Sequence, residues 1–119
     1  MIKSKLYLVI SLFYMVAIFY TSSLPIKEFG LSIDPSKLLN HFIAYGLLAI
    51  SWYLTTLNRN FSFIVSSIYG IADEIHQSFV PFRVADPFDA LADVLGAFMF
   101  SYFFDLLVRK KILTLKLLL

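Results

Sequence analysis

Four long apolar runs dominate the chain, separated by short polar breaks. Leu6 to Leu24 carries no charge, and neither does Leu38 to Leu57, although the latter includes Asn40 and His41. Phe61 to Val80 is as long but holds Asp73, Glu74, His76 and Gln77, and Phe88 to Val108 holds Asp89, Asp93 and Asp105. A bilayer span needs roughly 20 predominantly apolar residues. The pattern predicts an all-α, integral membrane four-helix bundle with spans at about 6–24, 38–57, 61–80 and 88–108. No internal repeat or low-complexity linker interrupts it, so residues 1–119 read as one domain.

The breaks carry the expected punctuation. Pro25 ends the first run, because proline lacks an N–H and clashes inside a helix. Asp34-Pro35-Ser36 reads as a turn feeding the second helix, with Pro35 tolerated in its first turn. Asn58-Arg59-Asn60 reads as a tight polar turn that makes the second and third helices antiparallel neighbours. Pro81 ends the third, and Asp86 with Pro87 reads as the N-cap and first position of the fourth. Lys3 and Lys5 before an apolar run resemble a signal peptide. The run is longer than the usual h-region and no A-x-A site follows, so it is expected to be a retained span. Residues 112–119 are expected to extend the fourth helix or to lie at the interface.

Composition supports lipid as the surrounding solvent. The chain is 60% hydrophobic and 15% charged, against about 45–50% and 25% in soluble domains. A soluble body this small has too much surface for so few polar residues to cover. The net charge of +2 gives no electrostatic footprint for a nucleic acid. With no Cys, disulfides, thiolate metal sites and a Cys nucleophile are excluded.

Basic residues favour the cytoplasmic side of a membrane. With the N-terminus inside, Lys3, Lys5, Arg59, Arg109, Lys110, Lys111 and Lys116 are cytoplasmic, while Lys27, Lys37 and Arg83 are external. Both termini are therefore expected in the cytoplasm of a multi-pass cell-membrane protein. In that orientation Asp73 sits about 18 Å along its helix from Phe61, with Glu74, His76 and Gln77 beyond it. His41, Tyr45, Asp73, Glu74, His76, Gln77, Arg83, Asp86, Asp89 and Asp93 then converge on the outer leaflet from three helices and one loop.

Magnitudes argue that the third helix does not face lipid all round. Its strongly apolar residues favour insertion by roughly 2–5 kcal/mol. Asp73 and Glu74 could cost about 5–7 kcal/mol if central and ionised. The acids must be shallow, protonated, paired or turned to a wet cavity. Tyr69, Asp73, His76 and Gln77 share one helical face, with Glu74 rotated toward Gly70 and Ser78. Asp89 and Asp93 share a face that Gly96 and Ala97 continue, small enough for another helix to come close. The simplest assembly is a cavity lined by the second, third and fourth helices, with the first covering one side.

Plainer roles stand beside these. Arg83 could pair Asp86 or Glu74 and fix the loop, and Asp93 could pair within the bundle. Asp105 and Arg109, four residues apart, read as a surface pair. Tyr7, Tyr14 and Tyr20 read as interfacial or packing aromatics, and His41 could sit among headgroups.

Nucleophilic catalysis has little support, because Ser66, Ser67 and Ser78 lack a G-x-S-x-G context. Asp73 and His76 have a metal-compatible spacing, but a single Asp-x-x-His is not a paired motif and there is no H-E-x-x-H. No metal or cofactor is assigned. General acid–base work is open to Asp73, Glu74 or His41, the catalytic candidates if there is turnover. A transmembrane proton relay is disfavoured, since Asp105 alone supplies an acid in the other half of the bundle.

The run Asp73-Glu74-Ile75-His76-Gln77-Ser78-Phe79-Val80-Pro81-Phe82-Arg83, followed by Asp89 and Leu95-Gly96-Ala97, resembles the VanZ-like family. So do His41-Phe42-x-x-Tyr45 and Ser22-Ser23-Leu24-Pro25. The resemblance covers nearly the whole chain. Asp93 stands where the family more often has Asn. Lys37 lies four residues before His41 rather than three, and Asp34 is not adjacent to it. The resemblance implies a small envelope protein, of a family named for an accessory protein of teicoplanin resistance. His41, Tyr45, Asp73, Glu74, Gln77, Arg83, Asp89 and Asp93 would form its ligand site. Arg83 suits an anionic envelope component, such as a lipid-linked precursor, through bidentate hydrogen bonds. Two rivals remain open: an intramembrane hydrolase or transferase acting on a lipid headgroup, and a structural or transport subunit.

Overall fold

The computed structural model describes residues 2–25 and 34–110. They form four helices: α1 (Ile2–Ser22), α2 (Pro35–Thr56), α3 (Arg59–Gln77) and α4 (Pro87–Arg109). The fold class is all-α, and no strand occurs among the described residues. Three helices, α1, α2 and α4, are long and apolar enough to cross a membrane. The expectation for residues 112–119 lies outside the described residues.

Short polar side chains set the helix starts. Asp34 accepts the Ser36 N–H at 3.0 Å ahead of Pro35, and Asp86 accepts the Phe88 N–H at 2.9 Å ahead of Pro87. Hydrogen bonds from the Ser36 hydroxyl and N–H hold the Asp34 carboxyl below its ordinary range. The second connection is tighter than the sequence suggests. Leu57 closes α2 in the left-handed region, at φ 56°. Asn58 then caps α3 by accepting the Phe61 N–H at 3.0 Å. Arg59 and Asn60 therefore belong to the first turn of α3. At the far end of α3 the regular helix stops at Gln77, and Ser78 to Val80 continue as tight turns before Pro81.

The polarity of the bundle is inside out. On α3, Phe61, Ile64, Ile68, Ile71 and Ile75 face outward, while Ser62, Ser66, Gly70, Asp73, Glu74 and Gln77 are buried. Across the described residues, serines and carboxylates outnumber apolar side chains in the interior. A water-soluble helix shows the reverse arrangement. This explains how α3 fits the bundle despite its charges: the acids point at α2 and α4, not outward.

The α2–α4 interface is the most extensive in the bundle. Small residues allow the approach, as expected for Gly96 and Ala97. A Cβ at Gly96 would fall on the Phe42 backbone carbonyl, and the nearest atoms to one at Gly46 would be those of the Phe100 ring. α1 packs mainly against α2 and touches α3. There the Tyr14 hydroxyl donates to the Ala44 carbonyl at 2.8 Å.

At the end of the bundle formed by the α2–α3 turn, Asp105 is a hub and not a surface partner of Arg109. It is buried. It accepts from the Tyr53 hydroxyl at 2.8 Å and pairs with Arg59 at 3.2 Å and Arg109 at 2.9 Å. The i,i+4 spacing shows only the Arg109 contact, because the other two partners come from α2 and α3.

The two glycines make a testable contrast. Overpacking typically costs about 1–3 kcal/mol. Gly96→Ala is expected at or above the top of that range, since backbone cannot rotate away, and Gly46→Ala within it, since the Phe100 ring must shift. Thermal unfolding of the detergent-solubilised variants checks the order.

Candidate functional site

At the end of the bundle opposite Asp105, three helices contribute side chains to one buried cluster. Lys37, His41 and Tyr45 follow one face of α2 at four-residue spacing. Asp73, Glu74 and Gln77 come from the last turns of α3, and Asp86, Asp89 and Asp93 from the start of α4. Asp86, Asp89 and Asp93 are at most 1% exposed, and Asp73, Glu74 and Gln77 are also buried. Gly70 lets α4 come in, because a Cβ there would sit 2.7 Å from Asp93 Cβ.

The contacts run between elements. Lys37 Nζ lies 3.0 Å from Asp89 Oδ2 and 3.9 Å from Asp86 Oδ2. His41 Nδ1 lies 2.8 Å from Asp93 Oδ1, and its Nε2 lies 3.6 Å from Asp89 Oδ2. The Tyr45 hydroxyl donates to Asp73 Oδ2 at 3.1 Å. Glu74 Oε2 accepts the Asp86 N–H at 3.0 Å, which fastens the start of α4 to the end of α3. Several oxygens are buried without a hydrogen-bond partner, among them Glu74 Oε1, Gln77 Oε1, Asp89 Oδ1 and Asp93 Oδ2.

A cavity of about 280 Å³ lies beside this cluster, against the last turns of α1. His41, Tyr45, Asp73, Gln77 and Arg83 line it with Asn40. Of the eight ligand candidates read from the sequence, five thus line the cavity. The other three, Glu74, Asp89 and Asp93, lie around His41 in the carboxylate cluster. Arg83 Nη1 donates to the Leu24 carbonyl at 3.1 Å, so the α3–α4 loop is held against the end of α1.

Two residues of the shared α3 face go elsewhere. His76 stacks on Phe19, with ring centroids 4.4 Å apart, and its Nε2 lies 2.9 Å from Ser23 Oγ. The Tyr69 hydroxyl donates to the Met15 carbonyl at 2.5 Å. Both therefore serve the α1–α3 contact, and His76 does not join the acids as its depth suggests. Periodicity assigns a face; it does not say which neighbour divides that face.

Lys37 is the site residue whose role the sequence leaves open. With the second span expected to start at Leu38 it falls in the preceding link, yet it lies in the first turn of α2 and reaches Asp89. The signal was present in its spacing from His41 and Tyr45. Asp86 likewise does more than cap α4, since its N–H holds Glu74 and its carboxylate faces Lys37.

Chemically, the cavity offers a guanidinium, an imidazole, a phenol and two amides around one carboxylate. Such a set recognises a polar or anionic group. The adjoining carboxylates provide acids or cation ligands. Comparison of the chain with protein-family models, curated proteins and solved structures gives no match.

The Lys37–Asp89 contact makes a separate prediction. Removing one partner of a buried pair strands the other, at about 3–5 kcal/mol when fully buried. Lys37 is one-quarter exposed, so Lys37→Met is expected to cost less than that full range. Adding Asp89→Asn should recover most of the loss. A double-mutant cycle on thermal unfolding measures the coupling, and additive effects would show that the pair contributes nothing.

Proposed function

We propose that this chain is a VanZ-like protein of the cell envelope. It binds or modifies an envelope component at a polar site in the outer leaflet of the cell membrane. The observation that carries this reading is a cavity of donors at one end of an inside-out bundle. His41, Arg83, Asn40 and Gln77 line it, while the outer faces of the helices are largely apolar. Lipid is the solvent that suits such an exterior, because polar groups facing hydrocarbon are costly. All four helices then cross the bilayer, α3 with its acids shielded by α2 and α4.

The excess of basic residues at the other end supports placing both termini in the cytoplasm. The site then faces outward. Arg83 and His41 suit a phosphate or carboxylate, and a lipid-linked precursor presents such a group at the right depth. Asp93, 2.8 Å from His41 Nδ1, orients the imidazole that meets it.

Two experiments test the reading. A glycopeptide-sensitive Gram-positive host carrying the wild type is expected to lose teicoplanin susceptibility. The same host with Glu74→Gln at a matched membrane level should not. Equal susceptibility with wild type and empty vector would reject the envelope role. Lipids retained by the purified protein are expected to fall in Arg83→Ala, measured by mass spectrometry. Unchanged retention would remove Arg83 from the site.

A further inference from the structure

The acids of the cluster outnumber their cationic neighbours. Asp73, Glu74, Asp86, Asp89 and Asp93 are all buried, and Lys37, Arg83 and the His41 imidazole are the basic groups around them. Buried charges need partners or neutralisation. The surplus is concentrated where three helices meet. We propose that His41, Glu74 and Asp93 form a binding site for one divalent transition-metal ion.

Three observations support it. First, each of these residues offers one ligand atom, from α2, α3 and α4 respectively, and the three atoms lie within 4.8 Å of one another. Ligands around one tetrahedral ion at about 2.0–2.2 Å stand roughly 3.3–3.6 Å apart. Any pair near the 4.8 Å limit must therefore close by roughly 1 Å as the ion enters.

Second, Glu74 and Asp93 are 5% and 0% exposed, and each keeps one buried oxygen, Oε1 and Oδ2, with no hydrogen-bond partner. Such oxygens are costly unless something positive or protic meets them.

Third, the opposite oxygen of Glu74 is already held: Oε2 takes the Asp86 N–H. A supporting contact of this kind orients a ligand toward an ion. Asp93 Oδ1 and His41 Nδ1, 2.8 Å apart, bring two of the three proposed ligands together.

The donor set selects the class of ion. One imidazole with two carboxylates suits Zn²⁺ or Mn²⁺, and the absence of thiolate disfavours Cu(I). The sequence spacing drew attention to Asp73 and His76 instead. The fold turns His76 to α1 and supplies the imidazole from α2. Next to the site, Asp89 is already engaged by Lys37. The proposal goes beyond the envelope reading and does not require it.

The test uses the full chain in lipid nanodiscs, treated with chelator and titrated with Zn²⁺ or Mn²⁺ alone. The wild type is expected to bind about one equivalent and to unfold at a higher temperature when loaded. Glu74→Gln and Asp93→Asn should each weaken binding by more than the roughly 10–100-fold that loss of a supporting contact costs. His76→Ala should bind as the wild type does. A wild type that takes up neither ion stoichiometrically would overturn the proposal, and so would uptake unchanged in both acid variants. If either variant fails to fold, X-ray absorption of the Zn²⁺-loaded wild type decides. One imidazole among oxygen neighbours supports the site. A shell with no imidazole, or with two, overturns it. No envelope ligand is present in these measurements, so their outcome is independent of the susceptibility result.

Discussion

A carboxylate cannot be buried cheaply without a partner, and much of this bundle follows from that constraint. α3 carries Asp73 and Glu74 on a helix too polar to stand alone in a bilayer. Its stability in the bundle depends on turning those acids inward and isoleucines outward. α2 answers with Lys37, His41 and Tyr45 at four-residue intervals, and α4 adds its own acids at the same level. Buried serines and the glycines Gly70 and Gly96 lie among them, and such short side chains let the polar groups of three helices reach one another.

The same constraint is met differently at the two ends of the bundle. Tyr53, Arg59 and Arg109 each reach the buried Asp105. At the other end, donors and acceptors are less evenly matched. Glu74 and Asp93 each keep a buried oxygen without a partner, and a cavity lies alongside. The proposed polar group or ion would complete that set.

The four helices were legible in the sequence because long apolar runs and the Asp-Pro starts are strong local signals. The convergence of His41, Tyr45, Asp73, Glu74, Gln77, Arg83, Asp89 and Asp93 was legible because charges inside apolar runs stand out. Other relations depended on facts that one helix does not contain. Spacing put Tyr69 and His76 with Asp73 on one face but could not show that α1 takes both of them. Asp105 and Arg109 looked like a surface pair because Tyr53 and Arg59 lie far away in sequence. Lys37 stands one residue before the expected helix start at Leu38, so its spacing from His41 did not by itself give a shared helical face.

The placement of the two polar clusters on α4 has a mechanical consequence. Asp93 and Asp105 are twelve residues apart, about 18 Å along the helix axis. Each is tied to α2, through His41 and Tyr53. A sliding step of one helical turn, about 5.4 Å, would break both ties together. With the Lys37–Asp89 pair as a third tie, α4 is held against α2 at both ends, which opposes piston motion. Changes at the His41 end that loosen one tie would tilt the shaft, not ratchet it.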